Sequence, residues 1–437
     1  MTNLAELFPT TTERTKLGRL QVAGLDLAEL AHKWGTPLYI YDAATVKAKI
    51  HNLDNLLQTY YPGISEISYA AKAYFSFGMA CRLAGLGVGV DVVSLGELKI
   101  AKKAGFKPEK VHLHGNNKSE AELLYALEWG IESIVLDSLE EIEFLNGLLS
   151  YQKNDVKVWL RITPGVTVDT HPYRQTGHSG SKFGFSLQDG QAAEAIRRIN
   201  KCEKIHLAGL HMHLGSQVFD AEPYQRAISL LAGLAGEQDF VPETLSPGGG
   251  WGVPYTYRDE LIDASEWVRP LSEAVTKESK ERGWPLPRLI LEPGRWLVAQ
   301  SGVALYTVGS TKYTGDGDYI VALDGGMADN PRPALYQANY EAELVERTEA
   351  APKKNGSLVG KFCETGDKLI PEAMLPEMHR GEILAMPVSG AYQLSMASNY
   401  NLAPRPAVLW LESGRVEVLQ HREEPDENGW WMSGMEL

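Results

Sequence analysis

Ile67-Ser68-Tyr69-Ala70-Ala71-Lys72-Ala73-Tyr74 reads as a short buried strand that runs out on a lysine. A lysine placed where such a strand should stay apolar loses hydration, and burial favours its neutral amine. A neutral amine is a nucleophile towards aldehydes, so Lys72 can hold a cofactor as a Schiff base. A lone strand-end lysine more often snorkels to solvent. Its meaning therefore rests on what the rest of the chain supplies.

Outward from this stretch the same unit recurs. Further strand candidates end near Asp91, His114, Asp137, Thr163, His213, Ser246 and Glu292. Segments of helical period separate them, at 95–104, 120–129, 139–149, 192–199 and 224–234, and a helix at 42–57 with Val46, Ile50 and Leu53 on one face precedes them. Eight strands alternating with helices over roughly 250 residues predict a (β/α)8 TIM-like barrel. A doubly wound open sheet is the alternative. After Arg295 the rhythm changes: 303–313, 319–323, 383–388, 408–412 and 416–419 read as strands bounded by turn residues. The expected division is a barrel over 36–300 and a mostly-β domain made of 1–35 and 301–437.

Bulk properties fit this outline. A chain of 437 residues exceeds one ordinary domain, and 44% hydrophobic residues with 42 glycines and 23 prolines suit a turn-rich α/β protein. The net charge of -14, without a basic patch, argues against nucleic acid or an anionic membrane as partner. The opening residues carry no apolar core of a secretion signal, and no apolar run is long enough to span a bilayer. Cys81, Cys202 and Cys363 are an odd number at unrelated spacings, which points to a reducing cytoplasm rather than a disulfide scaffold. The acidic stretch 422–437 reads as a loosely held tail.

The polar strand-end residues converge once the barrel is assumed, because strand carboxyl ends line a barrel's active site. Lys72, Asp91, His114, His211, His213 and Glu292 all fall there, beside Gly248-Gly249-Gly250. The glycines let backbone N–H groups close on a phosphate. Glu292-Pro293-Gly294-Arg295 places a carboxylate at a strand end and a guanidinium three residues on, one suited to a ring nitrogen and the other to an anion. His211-Met212-His213 has two readings. As i and i+2 on a strand the histidines could bind a metal, or a flat imidazole could stack on a cofactor ring.

Six motifs in order carry a resemblance: Tyr69-Ala70-Ala71-Lys72-Ala73, 209–217 (Gly-Leu-His-Met-His-Leu-Gly-Ser-Gln), Gly248-Gly249-Gly250, Glu292-Pro293-Gly294-Arg295, Asp324-Gly325-Gly326-Met327 and Cys363-Glu364-Thr365-Gly366-Asp367. Together they resemble the alanine-racemase-fold (fold type III), pyridoxal-phosphate-dependent decarboxylases. Segments 114–118, 181–184 and 332–336 favour the diaminopimelate branch over the ornithine and arginine branches. Tyr74 departs from the family's frequent Asn.

The resemblance implies pyridoxal 5'-phosphate held by Lys72, with Glu292 on the pyridine nitrogen, His213 on the ring face and Asp91 as a nearby pocket acid. It assigns Ser216, Gly249, Gly250, Gly294, Arg295 and Tyr392 to the phosphate. Arg295, Arg332 and Tyr336 would hold substrate carboxylates, Glu364 the distal ammonium, and Tyr392 would also border the substrate. Arg332 and Tyr336 are four apart, so one helical turn would present both to one point. Cys363 would donate a proton in the neighbouring subunit's site, which makes an obligate homodimer. The implied reaction is decarboxylation of meso-diaminopimelate to L-lysine, the last step of lysine biosynthesis. The alternatives are a decarboxylase of another diamino acid, a cofactor-free regulatory homologue and a metal-dependent barrel hydrolase. Cys81 and Cys202 read as structural, His112 as sharing the face of His114, and His171 and Lys182 as shaping loops.

Overall fold

The structure, a computed structural model, describes residues 4–168, 181–348 and 350–424. His171 and the tail beyond residue 424 lie outside the described residues. The chain divides into two units, one of Lys49–Gly252 and Ile262–Trp296, the other of Met1–Ala48, Val253–Leu261 and Leu297–Leu437.

The first unit is a closed parallel barrel. Its strands are β1 (Ser65–Ala70), β2 (Gly89–Val92), β3 (Val111–Leu113), β4 (Ser133–Leu136), β5 (Val156–Thr163), β6 (Ile205–His211), β7 (Thr244–Gly248) and β8 (Arg288–Leu291). Each pairs in parallel with its successor, and β8 pairs with β1 to close the ring. Val135, Trp159, Ala208 and Ile290, from four different strands, form one buried cluster. Residues of non-adjacent strands meet in this way because a barrel's interior is filled by inward side chains.

Helix boundaries follow local chemistry. Ser94 caps Leu95–Ala104 by accepting from the Glu97 N–H, and Gly105 ends it at φ 92°. Ser119 and Glu122 form a capping box at the start of Glu120–Trp129. Ser138 caps Leu139–Leu149. Two barrel helices were not anticipated from sequence: Phe77–Gly85, and Ser265–Arg282, which carries Pro270 inside it.

The second unit is built on a nine-stranded sheet. At its centre the fully buried strand Leu38–Asp42 lies between Gly302–Tyr313, antiparallel, and Ala407–Glu412, parallel. Gly302–Tyr313 also pairs with Tyr319–Leu323 and Ile383–Met386. Lys354–Val359 joins Tyr319–Leu323 in parallel and Lys368–Leu375 antiparallel. In this sheet Leu38–Asp42, Glu343–Leu344, Lys354–Val359 and Lys368–Leu375 are the strands that sequence did not predict, and Leu38–Asp42 and Lys354–Val359 owe their parallel pairing to partners distant in sequence. Among the described residues no helix is long and apolar enough to cross a membrane.

Candidate active site

Lys72 sits in a single 3-10 turn, Ala71–Ala73, directly after β1. Tyr69 fixes this turn: its hydroxyl donates to the Tyr74 carbonyl at 2.8 Å and accepts from the Tyr74 N–H at 3.1 Å. The expectation of a buried lysine is corrected. Its neighbours Ala71 and Ala73 are buried, but the Lys72 side chain is exposed, because the strand ends one turn earlier and the lysine stands on its rim.

Beneath that rim lies a buried polar layer. Glu292 follows β8 and is 8% exposed. Its Oε2 is 3.0 Å from His211 Nε2, and its Oε1 accepts from the Ser246 hydroxyl at 2.5 Å. Burial alone would raise its pKa, but the neighbouring His211 and His114 and the two hydrogen bonds hold it well below the usual carboxylate range. Asp91, on β2, accepts from the Ser68 hydroxyl at 2.6 Å. Burial, with the Glu292 charge nearby, pushes Asp91 well above its ordinary value. The surroundings thus displace the proton affinities of two neighbouring carboxyls in opposite directions. Burial also lowers His114 and His213 well below the usual imidazole range.

The glycines form a cradle. A Cβ on Gly249 would stand 2.1 Å from the Glu292 carbonyl oxygen, and one on Gly250 would stand 2.0 Å from that of Gly215. Gly294 packs on Ala70 and Ala73, where a Cβ would meet both side chains at 3.1 and 3.2 Å. Arg295 is buried and donates from Nη2 to the Ser216 hydroxyl at 3.0 Å. Ser216, Gly249, Gly250, Gly294 and Arg295 thus surround loops that approach at backbone distance.

The His-x-His pair separates. β6 ends at His211, so His213 lies beyond the strand and the i, i+2 geometry does not apply. The described groups with metal-ligand spacing are His114, His211 and Glu292, whose ligand atoms lie within 4.8 Å of one another. His112 Nδ1 lies 3.0 Å from the Ser133 hydroxyl, and its ring packs tilted by 32° against Trp159 at 4.4 Å between ring centroids. Sequence reasoning missed Arg161 on β5, which lies 4.3 Å over the Phe183 ring and whose charge bears on His213. It also missed the service of Ser246 to Glu292. An arginine inside a barrel strand that opens on the site was the available signal for Arg161.

The remaining predicted residues belong to the second unit. Arg332 begins the short helix Arg332–Tyr336 and is buried; Tyr336, one turn on, is half-buried. The Arg332 guanidinium lies 4.4 Å over Tyr255 and hydrogen-bonds the Tyr340 hydroxyl, two partners that sequence did not indicate. Cys363 and Glu364 are exposed on the loop after Lys354–Val359. The Cys363 N–H donates to Asn401 Oδ1 at 3.2 Å, and the Tyr400 hydroxyl donates to its carbonyl at 3.3 Å. Asp367 joins this loop to the Asp324-Gly325-Gly326-Met327 motif, accepting from Met327 N–H at 2.6 Å and Phe362 N–H at 2.8 Å. Tyr392 has φ 59°, in a segment held by Tyr41, whose hydroxyl donates to the Gly390 carbonyl at 2.8 Å.

The barrel residues fit pyridoxal phosphate. They offer an amine for an aldehyde, an ionised carboxylate for a ring nitrogen, and a glycine cradle with a guanidinium for a phosphate. Among the described residues Asp91 Oδ2 and His114 Nε2 are buried polar atoms without a hydrogen-bond partner, as a site completed by a polar ligand would leave them. Comparison with known proteins agrees. The sequence profile of the pyridoxal-dependent decarboxylases, pyridoxal binding domain, matches residues 43–299. The diaminopimelate decarboxylase of Bacillus subtilis (strain 168) is 43% identical over 418 residues, 94% of this chain and 95% of that one. The solved diaminopimelate decarboxylase of M. jannaschii superposes with a TM-score of 0.88 at 31% identity, over 95% of this chain and 96% of that one. That of Helicobacter pylori, complexed with L-lysine, gives 0.83 at 30% identity, over 91% and 97%. The chain belongs to the pyridoxal-dependent decarboxylases, within the diaminopimelate decarboxylase family.

Proposed function

We propose that this protein removes CO2 from the D-configured centre of meso-2,6-diaminopimelate and releases L-lysine. The carrying observation is Glu292, buried, kept ionised and set beside a glycine cradle on the same barrel rim as Lys72. Lys72 Nζ would hold pyridoxal phosphate at its aldehyde carbon, with Ser216, Gly249, Gly250, Gly294, Arg295 and Tyr392 on the phosphate and His213 on the ring. Bound there, the group supplies an electron sink for the pair left behind by departing CO2. Glu292 keeps a proton on the ring nitrogen. Asp91 would sit nearby as a pocket acid, its burial favouring the protonated form. Arg295, Arg332 and Tyr336 orient the substrate's carboxylates, and Glu364 meets the distal ammonium, with Tyr392 alongside.

Cys363 Sγ delivers the proton that replaces CO2 on carbon, acting in the site of a second copy of the chain. Its exposure, and the backbone anchoring of its loop by Asn401, Tyr400 and Asp367, support a residue presented outward. The working unit is then a homodimer. The cysteines Cys81, Cys202 and Cys363 are all free, which fits a reducing compartment such as the cytoplasm.

The test is incubation of the purified protein with pyridoxal phosphate and meso-diaminopimelate, L-ornithine or L-lysine, with CO2 and product chirality measured. Release of CO2 from diaminopimelate alone, with L-lysine formed, supports the reading. Preference for another diamino acid contradicts it. For the shared site, inactive Lys72→Ala and Cys363→Ala proteins should regain activity when their subunits exchange; exchange without recovery would place Cys363 in its own chain's chemistry.

A further inference from the structure

We infer that His211 is a positioning residue for Glu292, paired with Ser246 on the other carboxylate oxygen. This rests on the reading that Glu292 faces the ring nitrogen of the cofactor, and adds how the protein keeps that carboxylate in place.

Three successive strands build the clamp. His211 ends β6, Ser246 lies on β7, and Glu292 follows β8. His211 and Ser246 are direct partners in the β6–β7 register, and the Met212 N–H donates to the Ser246 carbonyl at 2.9 Å. A register shift between Leu245 and Gly248 then brings β7 onto β8, where the Glu292 N–H donates to the Gly248 carbonyl at 3.0 Å. Backbone pairing therefore fixes all three residues before their side chains meet.

The side chains complete the arrangement. His211 is 1% exposed and Ser246 0%. His211 Nδ1 is buried and has no hydrogen-bond partner among the described residues, so a hydrogen there would be an unpaired buried donor. The hydrogen belongs on Nε2, which donates to Glu292 Oε2. With Ser246 donating to Oε1, each oxygen receives one fixed donor. Neither oxygen is left to turn towards His114 Nε2, 4.0 Å from Oε1. Removing the His211 donor leaves a buried carboxylate oxygen unsatisfied, which favours protonation of Glu292 itself. The first histidine of the His-x-His motif thus serves the carboxylate rather than a metal or the ring face.

The experiment is a double-mutant cycle of His211→Leu and Glu292→Gln, with His211→Gln as the variant that returns an N–H donor. It reads kcat, thermal midpoint and cofactor affinity, the last from quenching of intrinsic tryptophan fluorescence as the cofactor-free protein is reconstituted. His211→Leu should lower kcat and affinity roughly 10- to 100-fold, the scale of one hydrogen bond to a charged group. His211→Gln should restore most of the loss. In the Glu292→Gln background, His211→Leu should change either quantity by no more than about twofold. Equal penalties in both backgrounds would overturn the inference, as would His211→Leu retaining wild-type values. Should His211→Leu not fold, Ser246→Ala runs the same cycle on the other oxygen with the same criteria. If Glu292→Gln alone is without effect, the ring-nitrogen reading fails. If Glu292→Gln acts and His211 does not couple to it, only the positioning role fails.

Discussion

At the barrel mouth Glu292 is buried with both oxygens engaged, whereas in the sheet unit Cys363 and Glu364 are exposed and the anchoring falls on the backbone around them. The first region adjusts chemistry by burial and by the partners each carboxyl meets there. Glu292 and Asp91 are the same kind of acid, and their surroundings displace their proton affinities in opposite directions. The second region fixes a path for the chain. Asp367 accepts the Met327 and Phe362 N–H groups, and a Cβ on Gly326 or Gly360 would strike its carboxylate at 2.4 and 2.1 Å. Two motifs far apart in sequence are thereby joined so that a loop is held in shape while its side chains stay accessible. Substitutions in the barrel should therefore act on chemistry, and substitutions under the loop on stability first.

Lys72→Ala is the strongest case on the barrel side. Turnover should fall roughly 10⁴-fold or more, as on removal of a covalent nucleophile. The thermal midpoint should stay unchanged, because an exposed residue of a one-turn helix contributes little to packing. Activity assays with differential scanning calorimetry separate the two. A variant that unfolds would erase the contrast between the regions.

Asp367→Ala probes the other side. It leaves two N–H groups without acceptors and should cost about 2–4 kcal/mol in urea unfolding. Turnover should fall less than for Lys72→Ala. A stable Asp367→Ala protein with lost turnover would make Asp367 a chemical residue and collapse the distinction.

The smallest effect concerns pH. Asp329, bonded to the Tyr39 and Tyr306 hydroxyls, is raised from 3.8 to about 6, by burial first. A carboxyl raised in the folded state binds its proton more tightly there. Its contribution is therefore fully present below about pH 4 and is lost as pH rises through about 6. The displacement corresponds to about 3 kcal/mol. Asp329→Asn should flatten the stability profile across that window in denaturant titrations, with turnover at neutral pH little changed. An unaltered slope would mean that Asp329 does not titrate there.

Legibility in the sequence divides along the same line. Helices closed by Ser94 and Gly105, by Ser119 and Gly130, or opened by Ser138 could be bounded from local signals alone. Ser265–Arg282 was hidden by Pro270 within it. Strand ends located Asp91, His114, His211 and Glu292, because in a barrel position along the strand sets position in the site. What each residue does depends on register between strands, and register is not local: the turn of His211 to Glu292 follows from how β6, β7 and β8 align. The exposure of Lys72 was misread for a related reason, since the strand ends at Ala70 and the lysine stands on the turn after it. In the sheet unit, Leu38–Asp42 pairs with a strand more than 350 residues away, from Ala407 to Glu412, and no local pattern signals such a partner.

The central claim is that Lys72 carries the cofactor at the barrel rim. Borohydride reduction of the pyridoxal-phosphate-loaded protein, followed by tryptic digestion and mass spectrometry, tests it directly. Reduction fixes the pyridoxyl group to its lysine and blocks cleavage there, so a modified peptide spanning residues 50–82 with the added mass on Lys72 is the expected result. The group on another lysine, such as Lys118 or Lys182, or on none, would contradict it.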